Sequence, residues 1–504
     1  MIDKRVSSQL SLRRRIGPKI GELLGIDRRA LAFFRISFGL LLLADVLKRS
    51  IALQAHYTDA GVLPRWAATS LFTPHPLIFR VYLWSGEVWI NAAFMGLAAL
   101  MAISFIVGYR TRLVLLLYFV HLISIHIRNP IACHTGDAYL AVLAFWALFL
   151  PLGNYFSVDR LRRPSIKQLP QRYVSFGTAA ILIQISVFYL MAAVHKHPAE
   201  IWQTGQAVSW FAKLSTYTTP IGELLREVPK VCEFATYFSI ALEAFGPLLL
   251  FCPFFTSVFR MVIVALFVGF HAGIQLVVYI GIFELIAIVA VCVFLPNVVW
   301  DRLADWTPAW SRKAYAAARA PWLRLFTRQN YTAGDEPFRR SVLTECFAGF
   351  FLVIMLLNNV RTMNNTNPIL PGGKTVNRYA RRLNLKQRWV IFTYIDQSFT
   401  GWFIVEGELE DGSLVDVWNR KDFEGYQKPE GYAESFPNHN WRRVWSLLTR
   451  DETYKPVRLL LARYLFDDWN QREDRKLRRL SIQRVEPGPN GEVRTLTVFP
   501  LLGR

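Results

Sequence analysis

The chain is poor in charge and in cysteine for its length, and these shortages exclude several classes of protein. Charged residues make up only 19% of its 504 residues, whereas a soluble chain carries about 25% and needs them to cover its surface. The five cysteines form no CxxC pair, so no disulfide framework is predicted. The chain also lacks a nucleic-acid-binding module, a phosphate-binding glycine-rich loop and an HExxH metal motif.

Long apolar runs are present instead, and runs of this length predict membrane-spanning helices. We predict nine spans, at about residues 30–47, 89–109, 113–127, 138–152, 173–194, 232–252, 257–278, 281–299 and 341–360. The third and fourth spans are short for a hydrocarbon core of about 30 Å. Residues 30–360 are therefore predicted to form an all-α polytopic membrane domain, integral to the plasma or inner membrane.

The basic residues, which give a net charge of +21, lie mainly in short segments between the apolar runs. If residues 1–29 are cytoplasmic, the inner segments hold 24 lysines and arginines and the outer segments hold nine. Cytoplasmic loops are enriched in these residues, so a cytoplasmic N-terminus is predicted. Residues 1–29 lack a small-residue cleavage site, so we expect the first span to act as its own insertion signal. Nine spans place the C-terminus outside.

The composition becomes polar after residue 360. Residues 361–386, rich in Asn, Pro and Gly, are predicted to be a linker, and 387–504 a small extracytoplasmic α+β domain. Strands are predicted at 389–395, 402–410, 414–418, 480–485 and 493–499, with a hairpin turn at Asp411-Gly412 and a helix at 456–469.

All nine histidines fall on the outer side of this topology or within a span, and none is predicted on the cytoplasmic side. Histidine titrates near neutral pH and serves in proton transfer and metal binding. Asp45, Asp137 and Glu284 lie near the same boundary, and Glu243 lies deeper. The pattern indicates a polar chamber in the outer half, although each histidine could simply line a loop. A metal site assembled from distant segments also stays open.

Two cations have alternative interpretations. Lys196, between His195 and His197, either anchors the end of the fifth span at the membrane interface or acts as a desolvated, neutral base. Arg35, inside the first span, either extends to the cytoplasmic face or pairs with an acidic group of another span.

Several segments resemble the vitamin K-dependent gamma-carboxylases and their bacterial relatives, the horizontally transferred transmembrane (HTTM) domain proteins. The resemblance covers about residues 29–300, with a weaker similarity beyond. It rests on LAFFRISFG at 31–39 with Asp45, HYTDAGVLP at 56–64, YFSVD at 155–159, the Lys196 segment, and FH at 270–271 followed by IGIF at 280–283.

The resemblance implies that Lys196 is the base that deprotonates a reduced lipid quinone of the vitamin K or menaquinone type. In that family the resulting anion reacts with O2, the oxygenated species removes a γ-proton from a peptide glutamate, and CO2 is captured. His134, Asp137 and His271 are the supporting candidates. The sequence departs from the carboxylases at Asp137, which stands where they have a histidine, at His195, which replaces a lysine, and in its shorter outer domain.

We therefore predict a gamma-carboxylase-like membrane enzyme that couples quinone oxidation to modification of an exported peptide or a small substrate. The alternative is a non-catalytic membrane factor that binds or matures an exported peptide. A transporter is a third class, but the internal repeats typical of that class are not visible.

The topology prediction can be tested with a reporter. Alkaline phosphatase fused after residue 504 should be active in a bacterial host, because this enzyme needs the oxidising environment outside the cytoplasm. A fluorescent reporter that folds only in the cytoplasm should be dark at the same position. The reverse pattern would contradict the orientation.

Overall fold

The computed structural model describes residues 17–72, 76–162, 170–310, 341–363, 387–393, 401–447, 454–487 and 493–503, together with isolated positions between 313 and 321. Most of the predicted linker, 361–386, lies outside the described residues. The principal helices are α1 (Arg28–Ile51), α2 (Val88–Val107), α3 (Thr111–Arg128), α4 (Thr135–Ala147), α5 (Phe176–Lys196), α6 (Pro229–Leu249), α7 (Thr256–Val277), α8 (Phe283–Val291), α9 (Asn297–Trp306), α10 (Val342–Met363), α11 (His439–Leu447) and α12 (Lys455–Arg472). Shorter helical segments lie at Leu53–Tyr57, Arg65–Leu71, Leu77–Phe79, Val81–Leu83, Pro130–Ala132, Leu152–Asn154, Val158–Arg162, Glu200–Gln203, Ala207–Phe211, Pro220–Leu225 and Cys292–Phe294.

Six of the described helices are long and apolar enough to cross a membrane: α1, α2, α3, α5, α7 and α10. They coincide with six of the nine predicted spans. The fourth predicted span is the 13-residue helix α4, too short to span alone. The sixth is α6, which carries Glu233 and Glu243 within its apolar stretch. The eighth is α8, which is followed by α9 after a bend of 99° and becomes a seventh candidate only if the pair is one span.

The helices divide into a central and a peripheral group. Helices α1, α3 and α5 are largely buried, and α4 is almost completely enclosed. Helices α2, α7 and α10 present large apolar side chains at the surface, as lipid-facing helices do. Gly39 lets α1 and α2 approach closely, since a Cβ at this position would lie 2.6 Å from a side-chain carbon of Ile106.

At one end of the bundle, segments contact one another that the basic-residue pattern places on the cytoplasmic side. Strands β1 (Ile26–Asp27) and β2 (Arg172–Tyr173) pair antiparallel, and Arg29 forms an ion pair with Asp301 at 2.7 Å. At the other end, the C-terminal domain packs on loops predicted to be outer, where Asn440 Nδ2 donates to the Ala132 carbonyl at 2.9 Å. Predicted inner segments thus meet at one end of the bundle and predicted outer segments at the other. Which end faces the cytoplasm stays a prediction.

The C-terminal domain is a five-stranded antiparallel sheet with the order β5-β4-β3-β6-β7. Its strands are β3 (Trp402–Leu409), β4 (Leu414–Asp416), β5 (Lys421–Asp422), β6 (Leu477–Pro487) and β7 (Val493–Gly503), accompanied by α11 and α12. The strands predicted at 402–410, 414–418, 480–485 and 493–499 and the helix at 456–469 are confirmed, and Gly412 turns the hairpin with a positive φ of 82°.

The strand predicted at 389–395 is wrong for its described part. Residues 387–393 form no strand and run instead into the interior of the helical bundle; we call them the inserted segment. Trp389, only 1% exposed, packs edge-on against Phe188 and Tyr139. Gln387 exchanges two hydrogen bonds with Gln184 of α5, at 2.8 and 3.0 Å. The apolar, β-branched and aromatic composition of the segment is typical of a strand, but its burial comes from contacts with distant helices.

Replacing Trp389 by alanine tests whether the inserted segment belongs to the core. Loss of a buried Trp side chain leaves a cavity, and we expect about 3–5 kcal/mol of destabilisation, measured as a lower midpoint of thermal unfolding in detergent. Trp306→Ala is the matched control, because Trp306 is 89% exposed, and it should change the midpoint little. Equal effects of the two substitutions would contradict this role.

Candidate functional site

Arg49 is the centre of a buried polar cluster at the C-terminal end of α1. Its Nε donates to Asp45 Oδ2 at 2.8 Å, one turn earlier in the helix, and its Nη1 donates to Tyr57 Oη at 2.8 Å. Its Nη2 donates to Asp137 Oδ1 in the first turn of α4. Arg49, Asp45 and Asp137 are 2%, 6% and 3% exposed. One guanidinium therefore pairs with two buried carboxylates and links α1 to α4.

His134 and Asp137 are brought together by the cap of α4. The Asp137 carboxylate accepts from the His134 backbone N–H at 2.8 Å, while His134 Nδ1 accepts from the Gly136 N–H at 3.0 Å. This bond places the remaining ring proton of a neutral His134 on Nε2, 3.6 Å from Asp137 Oδ2. His126 Nε2 lies 3.8 Å from the other carboxylate oxygen. Both Asp137 oxygens are therefore engaged, one by the Arg49 guanidinium and the other by the His134 backbone N–H.

The C-terminal domain covers this cluster. The His439 ring meets His134 edge-on at 4.4 Å, and Trp441 lies 4.5 Å from His56. Burial, together with the charge of Arg49, lowers the pKa of His56 to about 3. Burial and the neighbouring His134 hold the pKa of His439 well below its ordinary value. Both rings are therefore neutral at physiological pH.

Lys196 is buried in a second cluster and ion-paired with Glu243 of α6. Its Nζ lies 2.6 and 2.7 Å from the two carboxylate oxygens and 4.6 Å from the centre of the Trp202 ring. Lys196 is 2% exposed and Glu243 5%. The alternative of a lysine anchored at the membrane interface therefore does not describe its surroundings.

His271 lies between two further buried groups. Its Nε2 is 2.7 Å from Tyr189 Oη, and its Nδ1 contacts Glu284 Oε2 at the start of α8. The three residues are at most 2% exposed. The second Glu284 oxygen is buried and has no hydrogen-bond partner among the described residues.

The four predicted site residues thus fall into two clusters, with His134 and Asp137 in one and Lys196 and His271 in the other. Aromatic rings connect them: Tyr139 stacks on Phe188 at 4.2 Å, and Phe188 lies 6.1 Å from Phe283. Their placement around one cavity, and their catalytic role, stay predictions.

Sequence reasoning missed three partners and the role of Arg49. The four-residue spacing of Arg49 from Asp45 is typical of an ion pair on one helix face. Glu243 could have been paired with Lys196, because a charge within a span needs a partner. The same argument applies to Glu284 as the partner of His271, whereas Tyr189 carries no such signal.

Arg35 is buried and donates to the backbone carbonyls of Leu152 and Tyr155 at 2.9 Å and to that of Phe156. It is 0% exposed, so its guanidinium is enclosed by protein. It binds the turn that carries the YFSVD segment, in a loop that the basic-residue pattern places on the cytoplasmic side.

A metal ion and a quinone need different sets of side chains. No group of three or more His, Cys, Asp or Glu residues in the described part of the chain is arranged to hold a metal. An aromatic quinol ring needs apolar neighbours and polar partners for its oxygens. Buried groups of both kinds are present: the Lys196–Glu243 pair, the Phe188 ring, and the Tyr139 hydroxyl, which has no hydrogen-bond partner among the described residues.

The helical fold and its apolar surface define a polytopic membrane protein. The HTTM domain family matches residues 25–300, more than half of the chain. The chain belongs to the HTTM domain family, as the sequence resemblance predicted. No curated protein and no solved structure matches it.

Because the ion pairs of Arg49 are buried, removing them should lower the free energy of unfolding much more than removing an exposed ion pair. Arg49→Met leaves the carboxylates of Asp45 and Asp137 buried without a counter-charge, which we expect to destabilise the fold by about 3–5 kcal/mol. Arg65→Met is the matched control: its pair with Asp59 is 36% and 40% exposed and should contribute below about 1 kcal/mol. Thermal unfolding in detergent measures both, and comparable losses would contradict the central role of Arg49.

Proposed function

We propose that this HTTM protein is a membrane enzyme that oxidises a reduced lipid quinone, with Lys196 as the group that accepts a phenolic proton. The reaction is coupled to modification of an exported peptide or a small substrate at the outer face. The observation that carries the proposal is the buried Lys196–Glu243 pair, whose Nζ–O distances are 2.6 and 2.7 Å.

A charged pair in an apolar domain is expensive to desolvate. Because Glu243 can take the proton from the ammonium group, the pair also has a neutral form, in which Lys196 carries a free electron pair. In that form Lys196 can accept a proton from a ligand, and the protonated Glu243 carboxyl group can still accept a hydrogen bond from the ammonium that results. The Trp202 ring beside Nζ further stabilises the cation.

A bound reduced quinone would supply the acidic phenolic hydroxyls and the reducing electrons, with O2 as the oxidant. Lys196 and Glu243 would meet one hydroxyl, and Phe188 would contribute apolar contact. CO2 is the co-substrate if the carboxylation step is retained. His134 and Asp137 are proposed as support for the peptide end of the site, and the engagement of both Asp137 oxygens favours a positioning role for it.

The non-catalytic alternative, a factor that binds or matures an exported peptide, is favoured by one observation. The C-terminal domain packs on loops next to the Arg49 cluster, with Arg443 Nε donating to the Cys133 carbonyl at 3.1 Å. This arrangement would suit a peptide held near the domain boundary. It predicts no quinone-dependent oxygen consumption.

The base role is tested with Lys196→Arg. Arginine preserves the ion pair with Glu243 but does not give up its proton in a protein. We expect normal insertion and abundance, with quinol oxidation reduced by about 100-fold or more. Oxygen consumption by the protein in nanodiscs with a reduced naphthoquinone measures this.

Lys213→Arg is the matched control, because Lys213 also lies over a tryptophan ring, 5.2 Å from the centre of Trp210, but is exposed. It should retain full activity. Full activity of a well-expressed Lys196→Arg protein would rule out the base role, and an inactive wild-type protein would favour the non-catalytic factor.

A further inference from the structure

Tyr189, His271 and Glu284 form a hydrogen-bonded chain that the base role of Lys196 does not use. Tyr189 and Glu284 are 0% exposed and His271 is 2% exposed. The Tyr189 Oη–His271 Nε2 distance is 2.7 Å, and His271 Nδ1 contacts Glu284 Oε2. Three different helices, α5, α7 and α8, supply the three groups.

The order of the groups sets the direction of the hydrogen bonds. An ionised Glu284 can only accept, so His271 Nδ1–H donates to it, and the lone pair on Nε2 accepts from the Tyr189 hydroxyl. An activated catalytic hydroxyl donates its hydrogen bond to an imidazole ring, and a carboxylate orients that ring. Tyr189, His271 and Glu284 have the same arrangement. The Tyr189 oxygen is thus prepared to receive a proton while its own proton moves to His271.

Tyr189 relates this hydrogen-bonded chain to Lys196, because both residues belong to α5. Tyr189 and Lys196 are seven residues apart in α5, which places them on the same helix face about 10 Å apart along the axis. Glu243, the partner of Lys196, lies within electrostatic range of His271 and Glu284. The buried Glu284 Oε1, without a hydrogen-bond partner among the described residues, leaves one acceptor available to a ligand.

We propose that Tyr189, with His271 and Glu284 behind it, accepts the second phenolic proton of the same reduced quinone whose first proton goes to Lys196; this inference rests on the proposed function. As the ligand O–H bond breaks, a bond from that proton to Tyr189 Oη forms, and the tyrosine proton passes to His271 Nε2. Glu284 stabilises the imidazolium. The two electrons released with the two protons go to O2.

The test measures binding without turnover. Under nitrogen, 1,4-dihydroxynaphthalene and its monomethyl ether, 4-methoxy-1-naphthol, are titrated into the full-length protein in nanodiscs and their dissociation constants compared. Tyr189→Phe should weaken the dihydroxy probe about tenfold. It should hardly affect the ether, because the single hydroxyl of the ether can still pair with Lys196.

Glu284→Gln provides a second, near-isosteric variant in case Tyr189→Phe does not fold, and the same selective loss is expected. Tyr118→Phe is the control, since the buried Tyr118 hydroxyl donates to the Leu42 carbonyl at 2.7 Å instead; both probes should bind it as they bind the wild type. Equal weakening of the two probes by Tyr189→Phe, or no weakening, would overturn this inference. Failure of both probes to bind the wild type would instead overturn the proposed function.

Discussion

A charge enclosed by apolar helices has no water to solvate it, and this constraint organises the membrane domain. Three of the buried charges described above have a partner on another helix: Arg49 joins α1 to α4, Lys196 joins α5 to α6, and Glu284 joins α8 to α7. An ion pair has narrow geometric tolerance compared with apolar packing, so each of these pairs forms at only a small range of depths and rotations of one helix against the next. Breaking one of them leaves the remaining charge buried and uncompensated.

The inserted segment brings the C-terminal part of the chain into the same core. Trp389 packs among rings of the membrane domain, and the Phe392 carbonyl accepts from Trp202 Nε1 at 2.8 Å. Because the Trp202 ring also lies under the Lys196 ammonium, the inserted segment positions one wall of the Lys196 cluster. The C-terminal domain covers the Arg49 cluster through His439 and Trp441. The two polar clusters thus depend on a part of the chain that begins 87 residues beyond the region matched by the HTTM family.

Much of the fold was accessible from local patterns. Apolar runs located the membrane helices because the bilayer demands them, and the alternation around Asp411-Gly412 located the hairpin. Local patterns failed where length or context mattered. Helix α4 has a membrane-like composition but only 13 residues, and residues 389–393 have the composition of a strand but lie in the bundle. For the site, the sequence indicated His134, Asp137, Lys196 and His271. It did not by itself bring Lys196 or His271 to its partner, which lies 47 residues away for Lys196 and 13 residues away for His271.

The sequence by itself determined that this is a helical membrane protein of the HTTM family, because hydropathy, basic-residue distribution and family motifs are properties of contiguous segments. Only the tertiary structure decided that Lys196 is buried against Glu243 instead of lying at the interface, and that Arg49 holds two carboxylates. Those outcomes depend on the depth and rotation at which separate helices meet. That packing arises from the summed contacts of the whole bundle, and no single stretch of sequence encodes it.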